Sequence, residues 1–336
     1  MNSTSFLNNK RILVTGGTGS FGMAFTEMLM ERYQPRELII FSRDEFKQSE
    51  MAKRWPTSKY PIRYYLGDIR DRERLMRAFV GVDVLVHAAA LKQVPALENN
   101  PLEAVKTNVI GAQNIIEAAL DCDVQRVIGV STDKAVSPSN LYGATKLAME
   151  KLLVAANNYT RYRDIKFCLV RYGNVLGSRG SVIPLWRDMY LQGHREFPIT
   201  DPRMTRFLIN LEQGVELVFR AIEEGDAGDI FIPKIPSALI SDIGQSFPEP
   251  TTLRTVGIRP GEKLHESLIS EDEGRHTRDL GSHFVIVPEF EHLDSNRHAL
   301  KFGMTLPEGF TYSSDNNAEW LSADQLKGVI DNYLKV

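Results

Sequence analysis

A short β-forming run, Arg11-Ile12-Leu13-Val14-Thr15, leads directly into Gly16-x-x-Gly19-x-x-Gly22 and then into an amphipathic stretch ending near Tyr33. Strand, glycine turn and helix in that order leave few architectures open. The first glycine permits the tight turn, the second lets backbone come up to a pyrophosphate, and the third lets helix pack on strand. The helix N-terminus adds unpaired N–H groups and positive potential for phosphates. The same spacing also fits a turn that only connects strand to helix, so the motif needs its surroundings.

The surroundings repeat the pattern. Leu38–Phe41, Ile62–Leu66, Val84–His87, Arg126–Ser131 and Phe167–Val170 read as strands. Glu45–Arg54, Asp71–Phe79, Pro101–Leu120 and Asn140–Asn157 read as the helices between them. Such alternation implies right-handed crossovers and a parallel sheet covered on both faces. Beyond residue 175 the rhythm changes. Pro184–Leu191 and Glu212–Glu223 read as helices, Ile230–Ile232 as a short strand, and Ala323–Tyr333 as a closing helix. We expect a nucleotide-binding domain over 1–175, with a returning strand near 229–233, and a mainly substrate-binding lobe over 176–336, interleaved rather than strung after it.

Composition narrows the partners. A formal charge of -3, without basic blocks, gives no signature for nucleic acid. Two cysteines, Cys122 and Cys168, provide neither a disulfide framework nor a metal site and fit a reducing compartment. The apolar run Val82–Leu91 is broken by Asp83 and His87 and is far shorter than the roughly 20 residues that span a bilayer. Met1–Lys10 is polar and lacks a signal-peptide segment. The expectation is a cytoplasmic protein with no membrane partner and no metal.

A dinucleotide site of this kind places an acid or an arginine about 20 residues beyond the glycines, against the adenosine ribose. Here the second strand ends Phe41-Ser42-Arg43-Asp44. A hydroxyl beside a guanidinium suits a 2′-phosphate, which favours NADP; with Asp44 on the ribose instead, NAD would fit. Asp68, in Gly67-Asp68-Ile69, can accept from the adenine amino group or cap the helix that follows. Thr18, Ser20 and Phe21 in the turn, Ile69, and Ala88, Ala89 and Ala90 after the fourth strand complete the expected cofactor contacts.

The chemistry is concentrated in Ser131-Thr132-Asp133-Lys134 and Tyr142-Gly143-Ala144-Thr145-Lys146. Tyr142 and Lys146 are spaced i, i+4 and share one helix face. A phenol with a pKa of about 10 is a poor base, but a nearby ammonium favours its phenolate. Lys146 can also hold the nicotinamide ribose. With Thr132 just upstream, these residues describe hydride transfer from an alcohol to a nicotinamide.

On these motifs the chain resembles the extended short-chain dehydrogenase/reductase superfamily over nearly its whole length. Within it the chain is similar to the soluble, inverting UDP-N-acetylglucosamine 4,6-dehydratases of the pseudaminic acid pathway. The similarity is carried by Ser42-Arg43-Asp44-Glu45, Ala90-Leu91-Lys92-Gln93-Val94-Pro95, Ser131-Thr132-Asp133-Lys134-Ala135 and Asn140-Leu141-Tyr142-Gly143-Ala144-Thr145-Lys146. Arg171-Tyr172-Gly173-Asn174-Val175, Gly177-Ser178-Arg179-Gly180-Ser181, Met204-Thr205-Arg206-Phe207 and Arg259-Pro260-Gly261-Glu262-Lys263 extend it into the second lobe.

The resemblance implies a Rossmann-type doubly wound α/β sheet with a smaller α+β lobe, and a homo-oligomer, with a hexamer as the form the family suggests. It implies a redox-neutral lyase. Tyr142 takes the proton of the sugar 4-hydroxyl while hydride passes to NADP. Lys134 then removes the proton on carbon 5, Asp133 protonates the departing 6-hydroxyl, hydride returns to carbon 6, and carbon 5 is reprotonated with inversion. This demands a neutral Lys134 and a protonated Asp133, and burial shifts each that way. Arg206 and Arg259 are expected on the diphosphate and Glu262 on the ribose, with Asn174, Lys92 and Arg179 also near the substrate. A 4-epimerase would need the same tyrosine and cofactor but not Asp133-Lys134. A non-catalytic NADP-binding sensor would need neither Tyr142 nor Lys146.

Overall fold

The computed structural model describes residues 5–160, 162–177, 181–248, 251–289 and 296–334. Strands β1 (Arg11–Thr15), β2 (Glu37–Ser42), β3 (Ile62–Leu66), β4 (Val84–His87), β5 (Arg126–Thr132) and β6 (Lys166–Tyr172) form a parallel sheet in the order β3-β2-β1-β4-β5-β6. The apolar runs of the inner strands are buried from both sides, as a sheet sandwiched by helices requires, while the edge strand β3 leaves Leu66 exposed. The helices are α1 (Ser20–Arg32), α2 (Glu45–Arg54), α3 (Arg72–Phe79), α4 (Val94–Asn99), α5 (Pro101–Ala104), α6 (Gly111–Asp121) and α7 (Leu141–Ala156). Strand order reverses between β1 and β4, and a crevice opens at such a switch point beyond the carboxyl ends of the strands.

The second half of the chain returns four strands to this sheet, where one was expected. Ile230–Pro233 pairs parallel with β6, and His283–Ile286, Thr277–Asp279 and Met304–Thr305 continue antiparallel. The remainder forms a small lobe with its own core, in which Trp186 stacks on Phe197 at 5.4 Å.

Two local features shape the crevice. A π-helical segment, Val105–Ile110, interrupts what the sequence presents as one long helix over Pro101–Leu120, and α4 precedes it unannounced. Within it, the buried Asn108 accepts from Leu91 N at 2.9 Å and donates to Leu91 O at 2.9 Å and Thr145 Oγ1 at 3.0 Å. It thereby ties the loop after β4 to α7. Helix α7 begins at the cap Asn140, whose side chain accepts from Gly143 N at 2.9 Å and donates to Gly261 O at 2.8 Å. That second bond docks the expected Arg259-Pro260-Gly261 turn on the helix start.

Candidate active site

A cleft of about 970 Å³ lies over the carboxyl ends of β1, β4 and β5. Gly16 takes a φ of +68°, and a Cβ there would stand 2.9 Å from Ala89 N, so the turn and the loop after β4 touch through backbone. A Cβ on Gly22 would collide with the backbone of Gly17, which lets α1 pack directly on the turn. The cleft is lined by Gly16, Thr18, Gly19, Ser20 and Phe21, by Ser42 and Arg43, by Asp68 and Ile69, and by Ala88, Ala89 and Ala90. Gly22 serves packing and is not part of this wall. A glycine cradle closed at the start of a helix, with cationic side chains at its far end, fits a nicotinamide dinucleotide.

At that far end, Asp44 caps α2 by accepting from Lys47 N at 2.9 Å and pairs with Lys47 Nζ at 2.9 Å. Its carboxyl is therefore engaged. Arg43 reaches Asp68 at 3.4 Å, and Arg70 donates to the same carboxylate at 2.7 Å. Burial acts to raise the pKa of Asp68, but Arg70 and Arg43 hold it below the usual carboxylate range. The cap of α3 is Asp71, not Asp68. Lys47 lines the cleft beside Arg43, a cation the sequence reading left out.

The reacting end is built by α7 packing on the short turn Asp133–Ala135 that follows β5. A Cβ on Gly143 would strike the Lys134 carbonyl, so glycine brings α7, and Tyr142 with it, against this turn. Thr132, Asp133, Lys134, Tyr142 and Lys146 all line the cleft, as do Lys92 and Asn174. Asp133 is fully buried. Its Oδ1 accepts from Thr132 Oγ1 at 2.8 Å and from Lys134 Nζ at 3.0 Å, while Oδ2 has no partner within the chain. Lys134 lies 3.5 Å from Glu266 of the second lobe, a buried carboxylate absent from the sequence reading.

This arrangement corrects two expectations. Burial does act to lower the pKa of Lys134, but Asp133 and Glu266 outweigh it, and the net shift is upward. Lys134 rests as an ammonium in an ion pair, not as a neutral amine. Second, the cation acting on Tyr142 is Lys134. Burial pushes the phenol up to about 12, against the lowering influence of Lys134 and a hydrogen bond with Thr132. Lys146 instead donates to Val130 O at 2.7 Å and Met149 Sδ at 3.1 Å. Burial brings Lys146 down to about 8, with Glu150 opposing.

Beneath the cleft, Glu150 follows Tyr142 and Lys146 at helical spacing and receives Ser131 Oγ, Arg171 Nε at 3.0 Å and Arg171 Nη2 at 2.6 Å. Arg171 also donates to Glu273 at 2.8 Å and to Leu268 O at 2.9 Å, which joins both lobes. His87, at the end of β4, meets Thr15 Oγ1 at 2.9 Å. Burial first, and Lys146 second, push His87 down to about 3, below its ordinary 6.5. The unfolded chain therefore takes a proton in this window that the folded one refuses, and stability falls as pH falls from about 6.5 toward 3. The expected slope is about 1.4 kcal/mol per pH unit for this proton. His87→Gln should flatten the decline in denaturant midpoint; an unchanged decline would assign it elsewhere.

The substrate residues divide. Asn174 Oδ1 is buried without a partner and faces the cleft wall, and Lys92 is held below the usual lysine range by burial and by Lys134. Arg206 does not present its guanidinium to the cleft. It donates to Thr205 O at 2.7 Å, Leu264 O at 2.9 Å and Lys263 O at 2.9 Å. Carbonyls of an irregular segment need donors, and a five-donor guanidinium provides them. Arg259 is exposed on its turn, 3.9 Å from Glu262, and neither lines the cleft. Arg179 falls outside the described residues.

Residues 12–288 match the family of polysaccharide biosynthesis proteins. The chain belongs to that family. It is 47% identical to a UDP-N-acetylglucosamine 4,6-dehydratase (inverting) of Campylobacter jejuni, over 97% of this chain and 98% of the relative. It is 39% identical to a UDP-glucose 4-epimerase of Rickettsia akari, over 96% and 95%. The X-ray structure of Pen from Bacillus thuringiensis superposes with a TM-score of 0.88 at 33% identity, covering 98% of this chain and 100% of that one. Among the described residues no helix is long and apolar enough to cross a membrane, and no cluster of side chains could hold a metal ion.

Proposed function

We propose that the protein is a UDP-N-acetylglucosamine 4,6-dehydratase, a hydro-lyase that uses NADP and inverts carbon 5, and that its product feeds pseudaminic acid biosynthesis. The observation that carries this reading is the pair of buried Asp133 and half-buried Lys134 in the cleft beside Tyr142. An epimerase has no use for an acid/base pair there, although several relatives bear that name.

The resting ion pair is one proton shift from a working acid and base. Moving a proton along the 3.0 Å hydrogen bond from Lys134 Nζ to Asp133 Oδ1 yields a neutral amine and a carboxylic acid, with no change in total charge. The amine then takes the carbon 5 proton, and the acid protonates the 6-hydroxyl as the C–O bond breaks and water leaves. Lys134 is again ammonium and Asp133 again carboxylate, so elimination resets the pair. Tyr142 lies in the cleft beside Thr132; its phenol must first lose its proton to solvent, which Lys134 favours, and the phenolate then takes the 4-hydroxyl proton. Bound nicotinamide would supply the hydride acceptor for carbon 4 and the hydride returned to carbon 6, and a proton from solvent then replaces the one lost at carbon 5, on its opposite face.

Support for NADP over NAD comes from Arg43 and Lys47 at the ribose end and from the engagement of Asp44 in its own helix cap. Arg43→Ala is expected to weaken NADP binding by roughly 10- to 100-fold, the size of a charge-assisted contact. NAD binding should change little. Equal losses for both cofactors in titration calorimetry would remove the 2′-phosphate assignment. We place the uridine diphosphate near Arg259 and Glu262, which lie outside the cleft wall, and the sugar near Lys92 and Asn174, which line it. Mass spectrometry of purified protein incubated with UDP-N-acetylglucosamine tests the activity: loss of one water supports it, and an isomer of unchanged mass points to the epimerase.

A further inference from the structure

We propose that Glu266 is a positioning residue for the elimination: its carboxylate, delivered from the second lobe, faces the Lys134 ammonium together with Asp133 and makes that amine a stronger base. The inference rests on the dehydratase reading above.

Glu266 Oε1 lies 3.5 Å from Lys134 Nζ, its side chain is 5% exposed, and Oε2 has no partner within the chain. Its backbone is fixed on both sides: Glu266 N donates to Ser314 Oγ at 3.0 Å, and Ser314 N donates to Glu266 O at 2.8 Å. The three Arg206 bonds clamp the residues just before it. The ammonium within ion-pair distance of this buried carboxylate is that of Lys134, and Lys263 is a further cation that its charge reaches.

The other charged and titratable groups around the pair are Asp133, Tyr142, Lys92, Arg206 and Lys263. The three cations disfavour the Lys134 ammonium, so the two carboxylates decide its charge. Once Lys134 has passed its proton to Asp133, Glu266 opposes that neutral state and favours return to ammonium. That return is what taking the carbon 5 proton accomplishes. Glu266 thus trades a smaller neutral fraction for a larger driving force in the proton transfer, which follows Brønsted behaviour.

The test is the pH dependence of kcat and KM for Glu266→Gln, with Glu266→Asp alongside. At a contact of this length the limb set by Lys134 should move to lower pH by about one unit or more in E266Q. The plateau kcat should change by less than the limb does, because a larger neutral fraction offsets the weaker base, with KM little changed. E266D, which keeps the charge but shortens its reach, should move the limb the same way by less. In parallel, acetylation of Lys134 in the ligand-free protein, followed by mass spectrometry across pH, should show its midpoint lowered in E266Q. A folded E266Q with both limb and midpoint unmoved overturns the proposal, as does an unmoved midpoint in E266D should E266Q fail to fold. Failure of the wild-type protein to dehydrate UDP-N-acetylglucosamine would instead count against the functional reading, and the acetylation midpoints would still decide the role of Glu266.

Discussion

Lys134→Ala is expected to lower dehydration of UDP-N-acetylglucosamine by about 10²- to 10⁴-fold, the usual contribution of a positioned acid/base group. Binding of the UDP-sugar should change far less, because the proposed role of Lys134 is on the sugar and not on the diphosphate. Deuterium uptake at carbon 5 from deuterated water should vanish in parallel, since the amine that takes that proton is gone. The substitution also strands Asp133, fully buried, without its cation. Lys134→Gln, which keeps a donor near Asp133, separates lost chemistry from lost structure: activity should remain absent while the melting temperature recovers. Near-normal turnover in either folded variant would remove Lys134 from the elimination.

The largest effect on stability should follow from Arg171→Met. Arg171 is fully buried and bonds two carboxylates at once, Glu150 and Glu273. Removing it leaves Glu150 as an uncompensated buried charge, at a cost of about 3–5 kcal/mol. Denaturant titration should show this as a lower midpoint with unchanged slope. The double variant Arg171→Met, Glu150→Gln should recover part of the loss, because the stranded charge is removed with its partner. A loss below about 1 kcal/mol for the single variant would mean that water or rearrangement screens Glu150.

The parallel sheet was legible because each strand is a short apolar run and each glycine or cap stands at a boundary. The cluster from Thr132 to Lys146 was legible for a related reason: its members are close in sequence, so a strand end, a turn and one helical face suffice to bring them together. Glu266 was not, because it reaches Lys134 only through the fold of the second lobe, and no local pattern encodes that contact. The charge state of Lys134 was misjudged for the same reason. Burial was foreseeable from the buried strand before it, but the second carboxylate was not. Arg206 shows the converse limit. An arginine in a substrate lobe reads as a phosphate ligand, yet here its donors serve the carbonyls of residues 263 and 264. The π-helical segment hides inside a helical hydrophobic pattern, with the buried polar pair Thr107-Asn108 as its one available signal.

The reaction proposed for this cleft is elimination of water from a sugar through an acid/base pair, with the hydride recycled within the enzyme. Proton NMR of the purified holoenzyme with UDP-N-acetylglucosamine in deuterated water, with no cofactor added, tests it most directly. The account predicts a new carbon 6 methyl signal, a 4-keto centre, and deuterium at an inverted carbon 5. A 4-epimer carrying hydrogen at carbon 5, with no methyl signal, would contradict it and leave Asp133 and Lys134 as residues that bind the sugar without eliminating water from it.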